Sequence, residues 1–206
     1  MRRLLPLLAL VPLAACTPSE RPTAGPVANA SSWQSVATPE DRQRLRGWRD
    51  AFVSGLAQAR AAGHGEVINR EGLLLQPDAA LGGTIPNGEY RCRVVKLGAR
   101  SPGLLPFVSY PSFNCRIAPS GKLQAFTKLS GSQRQVGYIF PHDQLRQVFL
   151  GTLVLGDEPR ALPYGADSDR DLAGFVERIG PARYRLLLPS PRFESLIDIV
   201  ELVPAG

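Results

Sequence analysis

Two segments, Tyr90-Arg91-Cys92-Arg93-Val94-Val95-Lys96 and Phe113-Asn114-Cys115-Arg116-Ile117, each set a cysteine in a strand-like alternation of side chains. The chain holds three cysteines, and the third, Cys16, stands at the end of an apolar leader. The remaining two predict a disulfide, Cys92 to Cys115, joining two β-strands in an oxidising compartment. Tyr90, Cys92 and Val94 share one face of the first strand, and Arg91, Arg93 and Val95 the other. Phe113, Cys115 and Ile117 likewise share a face. If both cysteine faces point inward, the bond lies in a barrel wall facing the core.

Met1-Arg2-Arg3 is a short basic region, and Leu4 to Leu13 is an apolar one too short to span a bilayer. Leu13-Ala14-Ala15-Cys16 resembles a bacterial lipobox, which implies that residues 1–15 are a lipoprotein signal peptide and that Cys16 carries the lipid. A plain secretory signal cut nearby is the alternative. Thr17 rather than Asp after the cysteine implies, by resemblance to Gram-negative sorting rules, the periplasmic side of the outer membrane. Residues 16–37, with prolines at 18, 22 and 26, predict a lipid-anchored flexible linker. Residues 38–206 are then one domain. Removal of Arg2 and Arg3 leaves 22 basic side chains against 18 acidic ones. So mild an excess on an exported chain excludes nucleic acid and supports, at most, attraction to anionic envelope components.

Thr38-Pro39-Glu40-Asp41 is a helix start, with a capping hydroxyl, a proline at the first helical position and carboxylates near the positive dipole end. Leu45, Trp48, Phe52, Leu56 and Ala59 continue it as one apolar stripe toward Gly63. A second helical piece is expected near Glu66 to Leu75. From Gly88 the pattern turns to period two. Strands are expected near 89–97, 106–110, 113–118, 122–129, 136–140, 147–155, 172–179, 183–189 and 195–203. Pro119-Ser120-Gly121 and Ile179-Gly180-Pro181-Ala182 predict tight antiparallel hairpins. The fold class is mainly β: an antiparallel up-and-down barrel or strongly curved sheet of about eight strands, with one N-terminal amphipathic α-helix.

Motifs for chemistry are sparse. His64 and His142 lie far apart and outside HExxH, so no metal site is predicted. Asp167, Asp169 and Asp171 open like a calcium loop, but Leu172 stands where glycine belongs and Arg178 where glutamate belongs. No GxSxG or SxxK motif occurs, the Gly63/Gly65 pair reads as a helix stop, and nothing pairs Glu89 with Asp143 or Glu194. No catalytic residue and no cofactor is therefore assigned. The richest polar stretch is Phe126 to Arg134, where Lys128 and Arg134 flank Ser130-Gly131-Ser132-Gln133. As a hairpin it would offer two cations and backbone donors to an anionic or glycan ligand, with Lys96 and Tyr110 joining from neighbouring strands. A hydrophilic loop without a ligand is the alternative.

The blocks YRCRVVKLG, LLPFVSYPSFNCRI, FTKLSGSQRQVGYIFP, RQVFLGTLVLGDE and GFVERIGPARYRLLLPSPRFESLIDIVEL resemble an uncharacterised bacterial family, domain of unknown function 4893, over nearly all of 33–203. The resemblance implies an exported or lipid-anchored Gram-negative protein and carries over no catalytic residue. The strand count is also similar to small envelope barrels such as metalloprotease inhibitors and lipocalin-like proteins, an analogy of fold that transfers no function. The expectation is a monomeric lipoprotein acting as a binding or inhibitory module for an envelope protein or an anionic or glycan ligand. An envelope hydrolase with carboxylates at the barrel mouth, or a purely structural envelope partner, are the alternatives. The lining of the barrel interior separates them.

Overall fold

Short strands separated by turn residues pair first with their neighbours in sequence, and here that rule runs around the whole domain. The computed structural model describes residue 30 and residues 32–206, so the leader, Cys16 and most of the linker lie outside the described residues. Its strands are β1 (Gly88–Ala99), β2 (Phe107–Ser109), β3 (Phe113–Ser120), β4 (Leu123–Lys128), β5 (Gln133–Pro141), β6 (Arg146–Leu155), β7 (Asp171–Gly180), β8 (Arg183–Pro189) and β9 (Ser195–Pro204). They form one antiparallel sheet in the order β2-β1-β3-β4-β5-β6-β7-β8-β9, and β9 pairs back onto β1. Eight strands thus close a barrel. The segment expected as a strand at 106–110 shortens to β2, which pairs only with β1 and stands outside the eight.

The second helical piece expected near Glu66 to Leu75 is present, but the stripe expected as one helix from Thr38 toward Gly63 is broken in two. A turn of helix, α1 (Trp33–Val36), precedes α2 (Pro39–Arg46), α3 (Trp48–Ala59) and α4 (Gly65–Glu71), with a wide turn at Arg60–His64 and a tight turn at Gly72–Leu75. Gly47 separates α2 from α3, and Gly63 takes a left-handed φ of 90° that ends the helical run there. The last residues of the segment expected as linker pack on the barrel: Ala37 is buried, and Trp33 and Val36 lie against the same cluster. Thr38 caps α2 by accepting from the Asp41 N–H. Among the described residues no helix is long and apolar enough to cross a membrane.

Alternation divides the strand residues between two environments. Tyr90, Cys92, Val94, Cys115, Ile117, Phe126, Ile139, Phe149, Val176, Leu186 and Val200 fill the interior, where Phe126 meets Phe149 edge-on and Tyr90 meets Tyr184 edge-on. On the outer face Val95, Leu97, Leu187, Ile197 and Ile199 pack against Phe52, Ala59, Ile68 and Leu74 of the helices. A Cβ at Gly55 would sit 2.9 Å from the Leu97 Cβ, so glycine there permits α3 to lie close on β1. The helical segment is also pinned by a fully buried arginine. Arg185 pairs with the buried Glu177, and its guanidinium donates to the carbonyl oxygens of Leu73, Leu74, Gln76 and Pro77. Every charge-bearing donor there finds an acceptor, which is what makes so deep an ion pair tolerable.

One end of the barrel is plugged. Ile85 is buried among the interior side chains, its N–H donates to Gln147 Oε1 at 2.9 Å, and its carbonyl accepts from Gln124 Nε2 at 2.8 Å. The Tyr90 hydroxyl donates to the Pro86 carbonyl at 2.7 Å. Near the interior's middle Cys92 and Cys115 form the expected disulfide, with Cα atoms 6.0 Å apart and both side chains inward. The pair is diagonal, because Cys92 stands opposite Phe113 and Cys115 opposite Tyr90.

A closed loop with a sequence separation of 23 residues is worth about 3 kcal/mol in the chain-entropy treatment. Cys92→Ala is therefore expected to lower the melting temperature by about 6–12 °C for a domain of this size. Differential scanning calorimetry of the oxidised protein and the variant checks it, and equal melting temperatures contradict it.

Candidate functional site

Away from the plugged end, the inward positions change from apolar to polar. Beyond Val94 on β1 the next inward residue is Lys96; beyond Phe126 on β4 it is Lys128; and Val200 on β9 is preceded by Asp198. Gln133 and Gln135 occupy the inward positions of β5 before Ile139. With Tyr110, Pro111, Phe113, Ser130, Ser132 and Glu194 they line a cavity of about 360 Å³. A second cavity of about 200 Å³ shares Lys96, Tyr110 and Glu194 and extends beneath Leu104, Leu105 and Val108.

The two lysines differ in their surroundings. Lys96 is buried and binds Asp198 Oδ2 at 2.9 Å and Glu194 Oε2 at 3.2 Å. Asp198 is in turn held by the Ser195 hydroxyl, which donates to Oδ1. Burial works against the Lys96 ammonium, but Asp198, and Glu194 after it, outweigh burial and raise its pKa above the ordinary 10.5. Lys128 is half-buried, and among the described residues it makes no ion pair and no hydrogen bond; its Nζ lies 4.2 Å from the Phe113 ring centre. Burial, and then the neighbouring Lys96 ammonium, pull the Lys128 pKa below the ordinary amine value. Gln135 is buried, and its Oε1 has no hydrogen-bond partner. An unpartnered buried carbonyl costs roughly 1–3 kcal/mol, so such atoms in a native fold call for a partner.

A model of the family described as Domain of unknown function (DUF4893) matches residues 33–202. The chain belongs to this family. The match runs from the first described helix through most of β9, so it takes in every residue that lines the cavity. No curated protein and no solved structure matches the chain.

In this DUF4893 domain, Lys96, Tyr110, Lys128, Ser130, Ser132 and Gln133 come together around one cavity. Arg134 does not join them. It points to the outer side of β5 and donates to the carbonyls of Gly131, Gly156 and Glu158, tying two loops together. The hairpin therefore does not offer two adjacent cations, because successive residues of a strand face opposite sides and Lys128 and Arg134 fall on opposite faces. Gly131, at φ 95°, turns the loop above Lys128, where a Cβ would lie 3.6 Å from Nζ. Cys16 lies outside the described residues.

The other candidates hold structural partners. Asp171 accepts from the Gly165 N–H, Asp169 pairs with Arg192 and Asp167 with Arg170. His64 stacks on Phe107, and His142 accepts from Trp33 Nε1. Glu89 pairs with Arg116 and Asp143 caps the Leu145 and Arg146 amides, both at the plugged end and away from Glu194. Sequence reasoning missed Gln135 and Asp198. Their signal was available in parity: an acid and an amide at inward positions of otherwise apolar strands.

Removing one partner of a buried ion pair strands the other. Asp198→Asn, which leaves the buried Lys96 with the exposed Glu194 alone, is expected to destabilise by about 3–5 kcal/mol. Glu194→Gln, at a solvent-screened carboxylate, should cost under about 1 kcal/mol. Urea denaturation of both variants checks the order, and equal costs contradict it.

Proposed function

We propose that the protein is a lipid-anchored, periplasm-facing binding barrel that holds a small polar ligand in its open mouth. The observation that carries this reading is an unmatched cation and an unmatched buried acceptor in one cavity: Lys128 Nζ and Gln135 Oε1. A ligand that satisfies both needs an anionic or carbonyl oxygen for Lys128 and a hydroxyl or amide N–H for Gln135. Phe113, Pro111 and Val94 give it an apolar wall. The aromatic packing below the cavity leaves the ligand at the mouth rather than in a tunnel through the barrel. The hydrolase alternative draws less support, because both carboxylates at the mouth are engaged with Lys96. A purely structural role leaves the Gln135 carbonyl unexplained.

Anchoring rests on Leu13-Ala14-Ala15-Cys16 and on the chain between Cys16 and α1.

Native mass spectrometry of full-length protein extracted from its own membranes tests the reading. A bound small-molecule mass is expected in the wild type and in a Cys16→Ser form recovered from the soluble periplasm. Lys128→Met and Gln135→Met, at unchanged melting temperature, should lose it. Ligand-free wild type that also gains no mass from an envelope extract would falsify the proposal, and a Cys16→Ser form that stays in the membrane would refute the anchor.

A further inference from the structure

The chain contains only three lysines, Lys96, Lys122 and Lys128, against 21 arginines. Arginine makes the ion pairs elsewhere on the barrel, among them Arg93 with Glu71 and Glu201, Arg146 and Arg185 with Glu177, and Arg183 with Glu201. Two of the three lysines nonetheless line one cavity. The chemical difference is that a guanidinium does not give up its proton in a protein, whereas an amine that is desolvated or set beside another cation does.

The two carboxylates of the mouth are both on Lys96, at 2.9 and 3.2 Å, so Lys96 stays an ammonium. Lys128 faces the same space with no counter-ion, over the Phe113 ring and below the bare turn at Gly131. The ring face favours the cation, but burial and Lys96 work the other way and prevail. Two like groups whose surroundings push them apart mark different roles: a fixed charge and a nucleophile.

We propose that Lys128 is a reactive amine that captures an aldehyde or ketone ligand as a reversible imine in the mouth of the barrel, with Lys96 as its fixed cationic neighbour. This rests on the reading of the mouth as a ligand site. The Lys128 ammonium first releases a proton to solvent. The Nζ lone pair then attacks the carbonyl carbon, a C–N bond forms, and the carbonyl π pair goes to oxygen, which takes up a proton. The carbinolamine hydroxyl so formed is the kind of donor that the unpartnered Gln135 Oε1 lacks. Loss of that hydroxyl with a proton, as one water, and of the remaining proton from nitrogen to solvent leaves the C=N bond. No oxidant or reductant is needed, and water reverses the step.

The chain carries its own control, because Lys122 is exposed in the turn after β3. Full-length protein is incubated at neutral pH with limiting propanal and sodium cyanoborohydride, and alkylated lysines are mapped by peptide mass spectrometry. Lys128 is expected to be alkylated several-fold faster than Lys122, with Lys96 unmodified. Lys128→Arg, which keeps the cation and the fold, should leave only the Lys122 product. A Lys128 rate equal to or below that of Lys122 overturns the proposal. The ligand seen in native spectra gives the second readout. After cyanoborohydride it should survive denaturation on Lys128, heavier than the free chain by the ligand less one water plus two hydrogens. A ligand that binds natively yet is always lost on denaturation defeats the imine while leaving the binding reading intact.

Discussion

The antiparallel pairing of β1 with β9 closes the barrel, and almost everything else depends on its register. Tyr90 to Ala99 runs against Pro204 to Ser195, while the other edge of β1 serves β3 and then β2. Side chains alternate with a period of two, so a slip of one residue would turn Cys92, Val94 and Lys96 to the outer, helix-covered face and Arg91, Arg93 and Val95 into the barrel interior. Arg93 on the outer face binds Glu71 and Glu201, and the inward Cys92 is bonded to Cys115. The disulfide and the outer ion pairs thus hold the same register from opposite sides of one strand. Lys96, four residues after Cys92, is placed in the cavity by that register.

Polarity is distributed along the barrel axis in a way that gives the two ends different roles. At one end Gln147 and Gln124 satisfy the backbone of Ile85, and an apolar plug results. At the other, Lys96, Asp198, Glu194 and Ser195 satisfy one another, whereas Lys128 and the Gln135 carbonyl do not find partners. Buried polar groups are normally paired. Among the described residues the Gln135 carbonyl is not, nor is the Thr152 hydroxyl outside the cavity, and beside Gln135 the half-buried Lys128 has no counter-ion. That combination sets the solvent-open mouth apart from the plugged end and from the fully matched Arg185–Glu177 pair under the helices.

Much of the architecture was legible in the residues. The alternation around Cys92 and Cys115 gave the wall and the bond, and the turns at Gly121 and Gly180 gave hairpins, because these signals are local and the pairing is between neighbours. The stop at Gly63 was legible too, whereas the helix break at Gly47 and the outlying β2 were less so, since packing against the barrel decides them rather than propensity. For the site, Lys128 and its loop stood out as polar chemistry in sequence, but the facing of Arg134 did not. Asp198 and Gln135 escaped notice because a lone polar residue in an apolar strand reads as noise until the closed barrel shows which way it points.

The central claim is that one cavity pushes the pKa values of its two lysines in opposite directions. With three lysines in the chain, ¹³Cε-labelled lysine gives three NMR signals that can be followed as pH is raised. Lys128 is predicted to titrate before Lys96, with Lys128→Arg removing the earlier transition. If Lys128 titrates together with Lys96, or after it, the amine is solvated or paired and the account of the mouth is wrong.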